Sequence, residues 1–220
     1  MSIRHHPDDA TLVAYGAGSI SEGFSLLLAA HLEHCPRCRG RVVETEMLGG
    51  SLLETLEDAP LSGGGFDAVW ARVCADEEPA APPSPPPSQP RADGLPAVLA
   101  AHLPGGLEGI RWRTLAPGIK QHVLRDVDCG NGTIRLLSIA PGTTIPQHGH
   151  GGSELTLVLK GSFMDQIGRF QAGDVADVDV GIHHQPVADT SEPCICLIAT
   201  DERLRFSDSL SRMLQPFFGI

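Results

Sequence analysis

The chain has 220 residues, enough for one large domain or two small ones; 41% are hydrophobic but only 5% aromatic, so any core must rest on Leu, Val, Ile and Ala. A formal charge of −11 argues against direct nucleic-acid binding, because phosphate backbones attract Lys and Arg, and it favours a basic partner.

The N-terminus, MSIRHHPDDA, lacks the basic-then-apolar order of a signal peptide. The longest apolar run, around FSLLLAAHL, is too short to span a bilayer. The expectation is a soluble, cytoplasmic protein with no membrane contact. In that reducing compartment the six cysteines read as ligands, sensors or buried thiols before disulfides.

Residues 1–76 read as helical. Pro7 suits a first helical turn, with Asp8 and Asp9 near the positive end of the dipole. Ser19 and Glu22 have capping-box spacing and open a second helix through FSLLLAAHLEH. Pro36 begins a third, whose apolar stripe is Val42, Val43, Met47, Leu48, Leu52, Leu53 and Leu56. After SGGG, Phe66, Val69, Trp70 and Val73 recur at helical spacing. This last stripe fits an internal contact or, equally, an aromatic face that docks on a partner.

His31, Cys35 and Cys38 form H-x3-C-x2-C. Cys35 falls near the N-cap of the third helix and Cys38 within its first turn, while His31 closes the preceding helix. The three converge across a helix-turn-helix corner, where the dipole favours thiolates. Two sulfurs with imidazole suit tetrahedral Zn²⁺, and a small domain with a weak core gains most from a metal staple. A closed site needs a fourth ligand, for which His5, His6 and His34 are the local candidates. The competing explanation is a chance CxxC beside surface histidines. A distant N-terminal histidine followed by H-x3-C-x2-C resembles the zinc-binding anti-sigma domains, which hold extracytoplasmic-function sigma factors inactive. In that resemblance the upstream ligand corresponds best to His6.

Residues 77–94 contain EEPAAPPSPPPSQPRADG. Proline removes backbone donors and favours polyproline II, so a semi-stiff tether is expected that keeps its two flanks close without fusing their cores. Residues 95–220 read as short strands: RWRTL, KQHVL, TIRLLSI, LTLVLKG, DVADVDV, PVAD and CICLIAT, separated by Gly, Pro, Asp and Asn. Strands without intervening helices point to a β-barrel or sandwich. The expected fold class is therefore α + β in two domains.

Within the second part, GTTIPQHGHGGSELTLVLKG fits G-x5-H-x-H-x3-E-x6-G from Gly142 to Gly161. His148, His150 and Glu154 occupy its ligand positions. GDVADVDVGIHHQPV supplies Gly173, Gly181 and His184 at the spacing of a second cupin motif, with Asp179 in place of the usual proline and His183 as a neighbouring decoy. Three imidazoles and a carboxylate accommodate Zn²⁺, Fe²⁺, Mn²⁺ or Ni²⁺; the alternative is a cupin that has lost its metal.

A zinc anti-sigma domain (1–76), a proline-rich linker (77–94) and a cupin (95–220) together resemble ChrR-type anti-sigma factors over nearly the whole chain, including RWRTL, the cupin ligands, CICL at 194–197 and the terminal QPFFGI. The resemblance implies a zinc-stapled helical bundle that clamps an extracytoplasmic-function sigma factor in a 1:1 complex. It also implies a jelly-roll cupin holding a divalent metal, most simply zinc, needed for release in response to singlet oxygen or organic hydroperoxides. Cys194 and Cys196 alternate on one strand, poorly placed to bridge each other. Buried inert thiols are the default for them and for Cys74 and Cys129, and the resemblance makes Cys194 and Cys196 redox-sensor candidates. The expected function is thus a non-enzymatic regulator. A metal-dependent cupin dioxygenase or isomerase with a helical accessory domain is the alternative, and a direct DNA-binding role is weakened by the acidic balance.

Overall fold

The computed structural model describes residues 2–59, 65–75, 95–179, 184–189, 191–202 and 204–206, with backbone alone at 148–150 and 204–206. The tether at 77–94, His183, the terminal QPFFGI and the side chains of His148 and His150 lie outside the described residues.

Four α-helices precede the tether: α1 (Asp9–Gly16), α2 (Glu22–Leu32), α3 (Pro36–Glu54) and α4 (Gly65–Ala75). The starts of α1, α2 and α3 follow side-chain capping, which satisfies amides that lack an intrahelical partner. Asp8 caps α1 by accepting from the Thr11 amide at 2.6 Å, so Pro7 precedes the cap instead of opening the helix. The Ser19–Glu22 capping box does not form. Ser21 caps α2 through the Phe24 amide, Ser19 donates to the Ala14 carbonyl, and Glu22 accepts from the distant Asp128 amide at 2.9 Å. Cys35 caps α3, with Pro36 at its first position, as the sequence predicts.

Eleven strands follow among the described residues: β1 (Arg113–Ala116), β2 (Ile119–Val123), β3 (Thr133–Ile139), β4 (His148–His150), β5 (Glu154–Lys160), β6 (Ser162–Met164), β7 (Arg169–Gln171), β8 (Val175–Val178), β9 (Val187–Ala188), β10 (Cys194–Thr200) and β11 (Leu204–Phe206). They form a six-stranded sheet of order β1-β2-β3-β10-β5-β8, a three-stranded sheet β7-β6-β9 and a pair β11-β4. All seven strands expected from the sequence are present, and every pairing between named strands is antiparallel. The described strands do not close into one continuous barrel. β4, β6, β7 and β11 have three residues each, too short to carry an alternation signal.

The large sheet is buried on both faces, and strand alternation divides its side chains. Leu155 and Leu157 of β5, Ile134 and Leu136 of β3 and Leu197 of β10 form one core. Val158, Cys194, Cys196 and Ile139 point the other way, onto Phe163, Phe170 and Val178. Helix α2 lies on the first of these faces: Phe24, Leu27, Leu28 and Ala30 join the same cluster as Leu155, Leu157 and Leu197. A Cβ on Gly23 would meet Cys129 Sγ at 2.6 Å, so glycine there permits the close approach. Glu33, just past α2, accepts from the amides of Ala97 and Val98 at 2.7 Å each. The two flanks of the tether therefore share a core, and the expectation that it keeps their cores apart is corrected. The reason is visible in α2: apolar on most sides, it cannot bury its surface within so small a helical unit. Leu27 and Leu28 are completely buried, worth about 2 kcal/mol each.

Candidate functional site

Leu12, Leu32, Cys35, Cys38 and Val42 form a small separate cluster where α1, α2 and α3 meet. At its edge His6, His31, Cys35 and Cys38 present ligand atoms that all lie within 4.8 Å of one another. Cys35 Sγ and Cys38 Sγ are each 3.4 Å from His6 Nδ1, and His31 Nε2 is 3.4 Å from Cys38 Sγ. A tetrahedral ion with Zn–S near 2.3 Å and Zn–N near 2.0 Å separates sulfur from nitrogen ligands by about 3.5 Å. The donor set and its spacing fit such an ion, and the four side chains leave no position for a further reactant. Of the three local candidates for the fourth ligand, the structure brings His6 to the corner. His5 instead packs on Phe170, with centroids 4.3 Å apart and planes tilted by 39°.

The electrostatics of this corner suit metal capture. Burial lowers the His31 pKa to about 4, against an opposing hydrogen bond to the Gly173 carbonyl, so the imidazole is neutral and ready to ligate. Burial, and secondarily the charge of Arg37, also lowers the pKa of His6. Burial and the neighbouring Cys35 push the Cys38 thiol up to about 12. A cation must therefore displace a proton from Cys38, which makes affinity rise with pH.

The second set is partly visible. Glu154 and His184 are both buried, with Glu154 Oε1 3.9 Å from His184 Nε2. Strand β4 carries His148 and His150 in its backbone and pairs with β11, His150 opposite Leu204 and His148 opposite Phe206. Burial raises Glu154 to about 7, against the opposing fields of His184 and Arg135 and the hydrogen bond donated by the Thr156 hydroxyl. Buried Arg135 donates to Gln121 at 3.1 Å and to Thr133 at 2.7 Å; its own burial lowers its pKa to about 10.

Sequence reasoning missed Asp165. Its Oδ2 lies 3.1 Å from His184 Nδ1, while Oδ1 accepts from the amides of Ile167 and Gly168. Burial alone would raise its pKa, but these hydrogen bonds outweigh it and the pKa falls. An anionic carboxylate on Nδ1 fixes the tautomer whose Nε2 faces Glu154, the usual outer-shell arrangement of a ligating histidine. The DQIG turn was readable as a turn; its pairing with a residue 19 positions on was not.

Cys194 and Cys196 are fully buried, their sulfurs 3.5 Å apart, in contact but unbonded. The hydrogen bond that the Cys196 thiol shares with Cys194, together with burial, raises its pKa well above the ordinary value. Among the described residues no helix is long and apolar enough to cross a membrane.

Comparison with known proteins places this geometry. The ChrR cupin-like domain family matches residues 106–202. The anti-sigma-E factor ChrR of Cereibacter sphaeroides is 45% identical over 220 residues, the whole of both chains. Among solved structures, the Rhodobacter sphaeroides SigE complex with the anti-sigma ChrR matches at 42% identity with a TM-score of 0.72, covering 90% of this chain and 99% of that one. Identity at this level over the full length, with the His2Cys2 corner and the cupin-like sheets in the same chain, shows that the chain belongs to the ChrR family of anti-sigma factors.

Proposed function

We propose that this chain is a cytoplasmic anti-sigma factor, and not an enzyme. It holds an extracytoplasmic-function sigma factor in a 1:1 complex and releases it under oxidative stress, from singlet oxygen or organic hydroperoxides. The observation that carries this reading is an unpartnered apolar face. Val43, Met47, Leu48, Leu52 and Leu53 of α3, with Leu56 just past its end, are 51–69% exposed, and on α4, Phe66, Val69, Trp70 and Val73 are 56–67% exposed. The α3 stripe beyond Val42, and the α4 face read from sequence as either an internal contact or a docking surface, are thus bare among the described residues. Isolated exposed leucines are ordinary, but a run of this length on two consecutive helices marks a surface that a partner covers. The acidic balance of the chain favours a partner with basic surfaces and disfavours nucleic acid.

The division of labour follows the proposed boundaries. Residues 1–76 inhibit, with Zn²⁺ on His6, His31, Cys35 and Cys38; residues 77–94 tether; residues 95–220 sense, with a divalent metal, most simply Zn²⁺, on His148, His150, Glu154 and His184. A bound ion at the first site would supply only a staple, since its four protein ligands leave no open position. At the second, the buried side chains of Glu154 and His184 already face each other, with Asp165 bracing His184. The burial of Cys194 and Cys196 and the raised Cys196 thiol favour the cupin ligands over these sulfurs as the first point of oxidant attack.

The test is co-expression of the full chain with an extracytoplasmic-function sigma factor of the same genome. The reading expects a stable 1:1 complex by size-exclusion chromatography with light scattering, silent in sigma-dependent transcription and relieved by a singlet-oxygen source. A chain that leaves transcription unchanged while binding no sigma factor would overturn it.

A further inference from the structure

The four-residue corner does not stand alone: the turn between β7 and β8, far away in sequence, holds two of its members. His31 Nδ1 lies 2.9 Å from the Gly173 carbonyl, which orients the opposite nitrogen, Nε2, toward Cys38 Sγ. His6 is reached through its chain neighbours. The amides of Arg4 and His5 both donate to Asp174 Oδ1, at 2.7 and 3.1 Å, and the His5 carbonyl accepts from the Val175 amide at 3.2 Å. Asp174 is completely buried, and its second oxygen accepts from the Gln171 amide at 3.0 Å, so the carboxylate clamps the N-terminal arm to the turn. Gly173 has φ +95°, and a Cβ there would meet Ile3 Cγ1 at 2.9 Å, so the turn admits the arm only because that residue is glycine. From this turn β8 runs directly alongside β5, with Val178 opposite Glu154.

We propose that the β7–β8 turn is the outer shell of the His6, His31, Cys35 and Cys38 site, with the Gly173 carbonyl orienting His31 and Asp174 a positioning residue for His6. The inference rests on the reading of those four residues as a metal site. It gives the cupin-like part of the chain a physical hold on the helical corner, passing from Glu154 through the β5–β8 pair to both histidines. The link is built from a buried carboxylate and main-chain hydrogen bonds, so it survives any movement of the tether. It requires no contact between the two sets of ligands.

The experiment uses the full-length chain loaded with Co²⁺, whose near-ultraviolet thiolate charge-transfer bands report Cys35 and Cys38, together with chelator competition for Zn²⁺. Asp174→Ala should weaken Zn²⁺ binding at the thiolate site about 10- to 100-fold, the range for loss of an outer-shell partner, and should shift the Co²⁺ ligand-field bands as His6 loosens. Asp174→Asn keeps one acceptor oxygen and should fall between Asp174→Ala and the parent. Ser162→Ala, at a buried position on β6, controls for general loss of stability and should leave bands and affinity unchanged. A parent chain with no thiolate band overturns the metal-site reading and the inference with it. A parent with the band, alongside a folded Asp174→Ala of parental affinity and spectrum, overturns the inference alone. Should Asp174→Ala not fold, Asp174→Asn decides: weakened Zn²⁺ binding supports the inference and parental binding overturns it.

Discussion

Replacing Trp70 by alanine separates an interaction surface from an internal contact. Trp70 is 56% exposed and stacks on Phe66, itself 67% exposed, with ring centroids 5.6 Å apart and planes 14° from parallel. A large aromatic side chain offers about 150–250 Å², so roughly 100–140 Å² of Trp70 remains for a partner to cover. At ~25 cal/mol per Å² that surface is worth about 3 kcal/mol, or about 100-fold in Kd, within the range of aromatic hot spots. Loss of the exposed Phe66 stack should cost the free protein only about 1 kcal/mol. Titration calorimetry with the sigma factor measures the first quantity and chemical denaturation of the free chain the second. The expected result is weaker binding by about two orders of magnitude with little change in stability. The opposite pattern, large destabilisation with parental affinity, would show that α4 packs internally and would refute the assignment of its face.

Three further outcomes follow from the ligand sets. Cys38→Ser should lower bound zinc by one equivalent per chain, measured by atomic absorption, and abolish sigma-factor inhibition, because metal binding and folding are coupled at such corners; a zinc-free variant that still inhibits contradicts this. Metal content should fall in His184→Ala and persist in His183→Ala, and the reverse result would move the ligand register by one residue. Glu154→Gln should change how the stability of the metal-free chain depends on pH. Glu154 titrates at 4.5 in its ordinary state and at about 7 when folded, so the folded chain retains a proton between these values. Its contribution is full below 4.5 and is lost as pH rises through 7, a swing on the order of 3 kcal/mol. His31, lowered from 6.5 to about 4, acts in the opposite sense, its contribution being lost as pH falls through that window. Relative to the parent, Glu154→Gln should therefore gain stability progressively from pH 4.5 to 7 in denaturant titrations, and a constant difference across that range would show that Glu154 does not titrate as described.

What could be read from sequence was what is local in sequence. Cys35, Pro36 and Cys38 are consecutive parts of one helix start, so cap, first turn and ligands follow from the same few residues. The strands of β3 and β10 were legible because seven residues carry a pattern. The α2 cap was misread because Ser19 and Ser21 compete two positions apart, and a tertiary partner, the Asp128 amide, claims the Glu22 carboxylate that a capping box needs. Likewise FSLLLAAHL announced burial on more than one side but not that β3, β5 and β10 supply the opposing face. His6 as fourth ligand came from a resemblance, since it lies ahead of α1 and shares no helix or strand with His31; the structure supplies the reason, an N-terminal arm clamped by Asp174. Nothing in the surroundings of Asp174 predicts hydrogen bonds to amides 169 and 170 residues away.

Helix α3 shows why these distant contacts matter. Of its 19 residues only Cys38 and Val42 are buried, both within its first two turns. Packing therefore fixes the start of the helix and leaves the rest to project its apolar stripe. A helix held at one end turns a small tilt at that end into a displacement of several ångströms at the other, because 19 residues span about 28 Å. The direction of the stripe is thus set at the His6, His31, Cys35 and Cys38 corner, and two of those four are braced by the β7–β8 turn. A weak core, which would be a defect in an isolated bundle, becomes the condition for control: loosening the corner need not unfold the protein, since α2 stays anchored to the sheet through Phe24, Leu27 and Leu28. It need only redirect the stripe proposed above as the partner's docking surface. A two-state shift of this kind requires that the sigma factor bind one orientation more tightly than the other.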